Sequence, residues 1–381
     1  MVPSQKKYKN IISGGYGLFN FGDDALMYVL YKKFEKQFAE RNMMFLCLNP
    51  TYLKKLVPRA TVLPRLTRKS VTCDNFILGG GTLFYSFTGE KNKTRKSLAS
   101  KVKMILTDFT LAVGKVLVKL KIASMKYEPD QYNRIYSLGI GLGPFDNGDD
   151  SKKMYAKNFC KEAYWLSVRD RKSSSYLEDW GIENSFFGAD ICFLPDIFEL
   201  PKAKSVGVKK IGIVVRDWDK NENSYKDQIF RSLKDLRKEY DVTFIVFSKF
   251  SDVSWVETLE QKGERFICWN PNKENISDFL NVLNEFDLFI TARYHGFIFA
   301  SLLNIPSICI DIEPKLSLAH ETFKSSSFLW SSPFKAESLI GSVNEIELNH
   351  SQIKKQLVID VDRQVELSVK MFEEFETQLV N

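Results

Sequence analysis

This 381-residue chain lacks the patterns that stabilise very small proteins or anchor proteins in membranes. Its six cysteines are scattered singly, with no C-x-x-C pair and no partnering histidine, which argues against a disulfide framework and a structural zinc site. No run of about 18 uncharged apolar residues occurs, so we expect no membrane-spanning helix. The first ten residues, MVPSQKKYKN, lead into a segment without the apolar core and cleavage site of a secretory signal. The sequence therefore predicts a cytoplasmic protein.

The composition is that of a globular protein, with 44% hydrophobic and 13% aromatic residues. Because single hydrophobic cores stop growing near roughly 250–300 residues, a chain of this length predicts two domains. The net charge of +7 is concentrated in residues 91–127, which contain ten Lys or Arg and one acid, Asp108. Apolar residues there recur at three- and four-residue spacings, which predicts a basic helical insertion. It either covers the sheet of the first domain or makes peripheral contact with an anionic membrane.

The chain opens with a pattern typical of Rossmann-type domains. A short apolar strand, Lys9–Ser13, enters the glycine-rich segment GGYGLFNFGDDA, and helical spacing follows over Ala25–Phe38. Further buried strands alternate with helical stretches, which favours a parallel sheet. We expect these strands at Met43–Leu48, Asn75–Leu78, Arg134–Leu138, Ala163–Val168 and Asn184–Phe187.

A Pro- and Lys-containing stretch around residues 196–207 reads as a linker, and a second strand–helix series follows it. The expected strands are Lys210–Val215, Val242–Phe247, Arg265–Cys268, Leu288–Thr291 and Ser307–Ile310. We therefore predict two Rossmann-like, doubly wound α/β domains facing a cleft, over residues 1–200 and 208–345. Helical spacing over residues 351–380 predicts a closing helix.

The glycine-rich opening brings backbone N–H groups and two carboxylates to the end of a strand, where open α/β sheets bind ligands. The first candidate site therefore comprises Gly17, Asn20, Gly22, Asp23 and Asp24. A purely structural interpretation has both aspartates stabilising the start of the helix. A second glycine run, FILGGGTLF, adds Gly80 and Gly81 as candidates at the same edge, although tight packing alone can require glycines.

Charged residues also follow two strands of the second series. Arg216 comes directly after one strand, and Arg293 and His295 follow another in the segment ITARYHGF. Arginine binds carboxylates and phosphates through two parallel hydrogen bonds, and histidine suits general acid catalysis near neutral pH. The two arginines are therefore expected to converge on one dianion, with His295 beside them. The alternative is a structural histidine held by a nearby carbonyl.

Taken together, these segments resemble the polysaccharide pyruvyl transferase family over Ile11 to about Lys315. The shared features are the G-Y-x-G-x-x-N-x-G-D opening, a G-G-G run, G-x-G-x-G-P, V-R-D-R, V-R-x-W and R-x-H. The resemblance implies a glycosyltransferase-B-like fold, phosphoenolpyruvate as the donor, and donor-site positions at Arg216, Arg293, His295 and Lys315. Asp24 stands where the family usually has Glu, one methylene longer, so the acceptor would differ if this position contacts it.

The resemblance implies transfer of an enolpyruvyl group to a sugar of a surface polysaccharide or its lipid-linked precursor. His295 would be the acid, Arg216 and Arg293 would hold the donor, and Asp23 is the candidate base. No cofactor, metal ion or nucleic-acid partner is expected. Two alternatives stay open, because fold does not determine function: a sugar-nucleotide-dependent glycosyltransferase, and a non-catalytic glycan-binding protein of the same pathway.

Overall fold

The computed structural model describes residues 6–65, 71–86, 129–145, 150–201, 207–218 and 222–380. The chain divides into two compact units. Unit 1 comprises Met1–Ile197 and Leu367–Asn381, and unit 2 comprises Phe198–Glu366. Each unit is built on one sheet whose described strand pairs are all parallel. The predicted architecture of two Rossmann-like α/β domains is confirmed.

Unit 1 contains a seven-stranded sheet in the order β3-β2-β1-β4-β5-β6-β7. The strand order reverses between β1 and β4, and ligands of open α/β sheets bind at the carboxyl ends of strands near such a reversal. The strands are β1 Lys6–Ser13, β2 Met43–Cys47, β3 Thr61–Pro64, β4 Val71–Ser86, β5 Gln131–Phe145, β6 Leu166–Val168 and β7 Ser185–Phe187. The helices described before the domain boundary are α1 Phe21–Lys33, α2 Glu35–Ala39, α3 Pro50–Leu56, α4 Asp150–Glu162 and α5 Arg171–Asp179.

Unit 2 contains a six-stranded sheet in the order β10-β9-β8-β11-β12-β13, with the reversal between β8 and β11. Its strands are β8 Lys210–Val214, β9 Asp241–Val246, β10 Phe266–Cys268, β11 Leu288–Thr291, β12 Ser307–Ile310 and β13 Ser327–Trp330. Its helices are α6 Glu222–Leu236, α7 Val253–Lys262, α8 Ile276–Leu283, α9 Tyr294–Leu302, α10 Pro314–Thr322 and α11 Ala336–Leu348. The last helix, α12 His350–Val380, begins in unit 2 and ends in unit 1.

The central strands are buried on both faces, as expected for a parallel sheet covered by helices. Ile11, Ile12, Phe76 and Ile77 in unit 1 have no exposed surface, and the same holds for Ile290 in unit 2. This burial explains why the strands appear in the sequence as continuous apolar runs rather than as alternating patterns. It also leaves the strand ends as the places where polar side chains collect.

Two glycine-containing segments, Gly79–Gly81 and Gly139–Pro144, are parts of strands. The first lies within β4 and the second within β5, and the two strands stay paired as far as Ser86 and Phe145. Pairing with β1 ends at Leu78, so β4 and β5 continue beyond it. Mutual pairing satisfies their backbone groups there, which a loop would have left to water.

The remaining secondary-structure predictions are confirmed in part. The helix expected over Ala25–Phe38 is divided into α1 and α2 at Phe34. The short strands β3 and β13 were not foreseen. The closing helix over 351–380 is confirmed. The basic segment 91–127 lies outside the described residues, and within those residues no helix is both long and apolar enough to cross a bilayer.

Candidate functional site

The turn from β1 to α1 holds the first group of predicted site residues. Gly17 has a φ of 92°, and a Cβ there would lie 2.5 Å from the backbone nitrogen of Asn49, so only glycine fits. Asn20 precedes α1 and donates its Nδ2 to Asp23 Oδ2 at 2.6 Å. A Cβ on Gly15 would lie 2.9 Å from Asp23 Oδ1. The carboxylate of Asp23 is therefore held close against the glycine turn.

Asp24 has a different setting from Asp23, because it is fully buried. The hydroxyl of Tyr52 donates to Asp24 Oδ1 at 2.7 Å and accepts from the backbone nitrogen of Phe19 at 3.0 Å. Burial, and next the negative charge of Asp24, raise the pKa of Tyr52 well above its usual range. The hydrogen bonds of Tyr52 therefore link Asp24 and the glycine turn to α3. The side chain of Asp24, shorter than the Glu usual in the family, meets the tyrosine hydroxyl there.

Gly22, Gly80 and Gly81 were also predicted to contact an acceptor. Gly22 is buried in the first turn of α1. A Cβ on Gly80 would meet the side chains of Ile191 and Leu26 at 3.0 and 3.1 Å, and one on Gly81 would meet Leu26 at 3.6 Å. These three glycines lie where α1 packs against the sheet of unit 1, whereas Asn20 and Asp23 lie at the turn from β1 to α1.

A cavity of about 550 Å³ in unit 1 lies at the amino-terminal edge of the sheet, and another of about 510 Å³ lies at the carboxyl end of its strands. The second cavity is bordered by the residues that follow β1, β2 and β3, by the extension of β4, and by α4. The lining residues are Ser13, Gly14, Gly15, Leu18, Leu48, Arg65, Leu78, Thr82, Leu83, Phe84, Tyr85, Lys152, Tyr155 and Phe159. This second cavity, called the unit 1 cavity below, lies where a doubly wound sheet binds its ligands.

Two arginines near this cavity are held in different ways. Arg65, directly after β3, is buried, and its Nη2 donates to Ser13 Oγ at 3.0 Å and to the Gly14 carbonyl. Arg169, after β6, donates from Nη1 to Asp190 Oδ2 at 2.7 Å and from Nη2 to Thr82 Oγ1 at 2.9 Å. Arg169 thus belongs to a buried ion pair with Asp190.

In unit 2, Arg216 follows β8 and pairs through Nη1 with Oε1 of Glu313, a buried carboxylate after β12. Its guanidinium lies 4.8 Å from the centre of the Trp218 ring. The Nε and Nη2 nitrogens make no hydrogen bond with the residues that the structure describes, and the side chain is 23% exposed. The edge of Arg216 that binds carboxylates and phosphates bidentately is therefore turned away from Glu313.

Arg293 follows β11 and precedes α9, and its guanidinium is fastened to Asp252. Its Nη2 lies 2.5 Å from both carboxylate oxygens of Asp252, and its Nε lies 3.2 Å from Oδ2 and from the Val215 carbonyl. The bidentate edge of Arg293 is thus directed at a fully buried carboxylate. Only Nη1 makes no hydrogen bond within the described ranges.

His295 and Lys315 complete the predicted donor-site residues. His295 is partly buried in the first turn of α9, with its ring 5.7 Å from that of Tyr294. Lys315, in α10, has its Nζ 3.8 Å from Glu313 Oε2. Glu313 thus joins Arg216 and Lys315 in one cluster, while Arg293 and His295 lie at the end of the adjacent strand, β11.

Sequence reasoning missed the carboxylates that hold these cations, and it missed Arg65 and Tyr52. Asp252 immediately precedes α7, a position at which aspartate is common for reasons of helix capping alone. Glu313 precedes α10 in the segment DIEPK. Arg65 follows a strand too short to be recognised. No signal in the sequence connects these residues with their partners 41, 97 or 52 positions away.

The profile of the family described as polysaccharide pyruvyl transferase matches residues 20–314, which is most of the chain. The chain belongs to this family. The match includes α1 with Asp23, and the segments carrying Arg216, Arg293 and His295. Among curated proteins, no sequence matches the chain.

Solved structures show the same fold at low sequence identity. The UDP-N-acetylglucosamine 2-epimerase of Rickettsia bellii is 13% identical with a TM-score of 0.57, over 98% of this chain and 97% of its own. HepE of Anabaena, solved in complex with UDP, is 10% identical with a TM-score of 0.56, over 98% and 99%. The UDP-GlcNAc 2-epimerase of Methanocaldococcus jannaschii, solved with UDP-GlcNAc and UDP, is 14% identical with a TM-score of 0.53, over 90% and 93%. This family member thus has the two-domain fold of these sugar-nucleotide proteins.

Proposed function

We propose that this pyruvyl transferase uses phosphoenolpyruvate to form a pyruvate ketal on a saccharide of a surface polysaccharide or of its lipid-linked precursor. Unit 2 binds the donor, and unit 1 binds the acceptor. The observation that carries the proposal is the Nε/Nη2 edge of Arg216, which makes no hydrogen bond with the described residues and lies at the carboxyl end of a parallel strand. A planar cation with two parallel donors suits the carboxylate or phosphate of phosphoenolpyruvate.

The neighbours of Arg216 make this edge a defined binding element. Glu313 holds the opposite nitrogen, so the guanidinium plane is oriented before the donor arrives. Arg293 contributes positive charge and one remaining nitrogen, while its own bidentate edge is directed at Asp252. Lys315 adds a third cation. Three cations at neighbouring strand ends, held by two carboxylates, leave a net positive charge for a small dianion.

The reaction assigned to these groups balances as follows. One acceptor hydroxyl adds to C2 of phosphoenolpyruvate while the C3 methylene gains a proton and becomes a methyl group. The C2–O bond to phosphate then breaks, and a second hydroxyl of the same sugar forms the second C–O bond of the ketal. The sugar loses two hydroxyl protons in all. One of them makes up for the proton added at C3, and the other leaves with inorganic phosphate. Protonated His295 delivers the proton to C3 or to the departing phosphate, a general-acid step.

Asp23 is the proposed base for the acceptor hydroxyl. It lies at the glycine turn against Gly15, which lines the unit 1 cavity, and Asn20 orients its carboxylate. Asp24 has no such part in the proposal, since it is fully buried and accepts from Tyr52. The departure from the family's Glu at this position therefore bears on the packing of unit 1.

The test is to incubate the protein with phosphoenolpyruvate and a panel of nitrophenyl and lipid-linked saccharides. We expect release of inorganic phosphate together with a saccharide product whose NMR spectrum contains the methyl signal of a ketal. A parallel incubation with UDP-sugars addresses the glycosyltransferase alternative, because a glycoside formed there without any ketal would overturn the proposal. Binding of the saccharides without turnover of either donor would favour a non-catalytic glycan-binding protein.

A further inference from the structure

The other cavity of unit 1, of about 550 Å³, lies toward the amino-terminal ends of its strands, and the proposed function makes no use of it. Its volume is within the range of small-molecule sites. Five side-chain amides line it: Asn10, Gln37, Asn42, Asn75 and Asn133. We propose that this cavity, called the amide cavity below, binds a neutral saccharide through its hydroxyl groups. The inference goes beyond the proposed function and does not depend on pyruvyl transfer.

The first step concerns two asparagines inside the sheet. Asn10 of β1 and Asn75 of β4 are partners in the parallel register, and each stands four positions before a glycine. They are only 2% and 9% exposed, and Asn75 Nδ2 donates to Asn10 Oδ1 at 2.8 Å. Asparagine is depleted in strands, and a buried amide costs stability wherever its groups lack partners. An amide pair at the centre of a buried sheet therefore requires an explanation.

The hydrogen bond within this pair leaves Asn10 Nδ2 and Asn75 Oδ1 for the cavity. Neither atom makes a hydrogen bond with the residues that the structure describes, and both side chains belong to the cavity lining. The pair thus presents N–H donors beside a carbonyl acceptor. A hydroxyl group both donates and accepts, so it can bind the two sides of the pair together. Saccharides carry such hydroxyl groups on adjacent ring carbons.

The second step concerns the three other amides of the lining. Gln37 lies in α2, Asn42 lies between α2 and β2, and Asn133 lies in β5. Asn42 Nδ2 donates to Glu40 at 3.3 Å, and Asn133 Nδ2 donates to Asp74 at 3.1 Å, so each amide is oriented through its nitrogen. Every amide can donate and accept at once, so a lining rich in amides suits a ligand with the same property along its length.

The third step concerns charge. The lining has equal numbers of basic and acidic residues: Lys9, Arg134, Glu40 and Asp74. Asp74 also pairs with Lys7, outside the lining, at 2.9 Å, and the Arg134 guanidinium lies 4.5 Å from the centre of the Tyr164 ring. A strongly charged ligand of either sign would meet side chains of its own sign, which costs free energy. Neutral hydroxyl groups accept from the cations and donate to the carboxylates, so the charges favour a neutral ligand.

The amide cavity and the unit 1 cavity can be tested separately, because their linings share no residue. Asn10 lines the first and Ser13 the second. These positions are three residues apart in β1, which is about 10 Å along a parallel strand. A saccharide in the amide cavity would therefore be held on unit 1 away from the carboxyl ends of the strands.

The experiment is calorimetric titration of the intact protein with cellotriose, mannotriose and galactotriose in the absence of phosphoenolpyruvate. We expect at least one of these neutral trisaccharides to bind. The double variant Asn10→Leu/Asn75→Leu should weaken that binding by about tenfold or more, as for the loss of one or two hydrogen bonds. Its midpoint of urea unfolding should be unchanged or higher, because replacing both partners of a buried hydrogen bond by apolar groups of similar shape is nearly neutral.

Two further variants serve as a second test and a control. Gln37→Leu, on the surface of α2, should weaken the same binding severalfold, and it carries the test if the double variant fails to fold. Gln378→Leu is the matched control, because Gln378 precedes the lining residue Leu379 in α12 but does not line the cavity itself. Its affinity should stay within about twofold of the wild-type value, since the loss of an amide outside the cavity removes no contact with the ligand.

The neutral character of the ligand is tested with a matched pair of probes. The glucuronide of 4-nitrophenol should bind no more tightly than the glucoside, and a clear preference for the glucuronide would overturn the neutral assignment. Absence of binding by all three trisaccharides, or equal effects of Gln37→Leu and Gln378→Leu, would overturn the site. Weakening by Tyr155→Ala, in the unit 1 cavity, without weakening by Gln37→Leu would do the same. Because pyruvyl transfer is not measured, failure of the proposed function leaves this result standing, and the reverse holds too.

Discussion

The two units present their strand-end cations in different ways. In unit 2, Arg216 and Arg293 are each paired with a buried carboxylate, Glu313 and Asp252. In unit 1, Arg65 donates to the Ser13 hydroxyl and to the Gly14 carbonyl at the wall of the unit 1 cavity. The difference teaches that an arginine after a strand has no fixed meaning. The partners brought to it by folding decide which edge of the guanidinium remains for a ligand.

Among the tests of this comparison between the two units, the largest effect is expected at His295. His295→Ala should lower kcat by about 10²–10⁴-fold, because that is the contribution of a positioned general acid, while phosphoenolpyruvate still binds. Steady-state kinetics and equilibrium binding of the donor measure the two quantities. The control is His320→Gln in the same unit, since His320 Nδ1 lies 2.9 Å from Ser327 Oγ and a glutamine can keep that bond. Equal rates for His295→Ala and the wild-type protein would remove His295 from the chemistry.

The next effect concerns stability. Asp252→Ala should destabilise unit 2 by about 3–5 kcal/mol, because it leaves the guanidinium of Arg293 buried without its partner. Urea unfolding measured by hydrogen exchange of unit 2 peptides reports this loss. Asp235→Ala is the matched control, because its pair with Lys238 is more than half exposed on both sides and contributes little. A similar small change in both variants would mean that the buried pair does not hold unit 2 together.

The two donor-site arginines should separate when each is replaced by lysine. Arg216→Lys should raise the KM for phosphoenolpyruvate by about tenfold and leave stability nearly unchanged, because the lost edge is the one that faces the ligand. Arg293→Lys should lower the free energy of unfolding as well, since lysine cannot reproduce the fork on Asp252. Kinetics and urea titration together measure this split, with exposed Arg237→Lys as the control. A loss of stability in Arg216→Lys without any change in KM would reverse the two assignments.

The smallest effect is a difference in acid sensitivity. All three histidines lie in unit 2, and burial, followed by a neighbouring lysine, lowers the pKa of both His320 and His350. A histidine with a lowered pKa holds fewer protons when folded than when unfolded, so protonation favours unfolding. Unit 2 should therefore lose stability as the pH falls below about 6.5, the usual histidine value, whereas these groups leave unit 1 unaffected. Hydrogen exchange of peptides from each unit between pH 7 and 5 measures this loss of stability. His350→Gln should make the stability of unit 2 fall less steeply with falling pH.

Several features followed from local sequence alone. Apolar runs of four to eight residues located most strands, because a parallel sheet buries both faces of each strand. The order of strands and helices then predicted two doubly wound units, and the position of Arg216, Arg293 and His295 after strands predicted the edge of the sheet where they lie. The helix over 351–380 was foreseen from its spacing, since helical periodicity over thirty residues is a strong signal.

Other features were settled only by the tertiary structure. The glycine run at Gly79–Gly81 became part of a strand because β5 pairs with it, and no property of the run itself requires that partner. Asp23 and Asp24 are adjacent and identical in the sequence, yet one lies at the turn beside Asn20 and the other is buried against Tyr52. Likewise the bidentate edge of Arg293 binds Asp252, whereas the Nε/Nη2 edge of Arg216 is turned away from Glu313. Sequence determined which groups stand at the strand ends, because that depends on local periodicity; which of them is left to meet a substrate depends on partners brought from distant positions by folding.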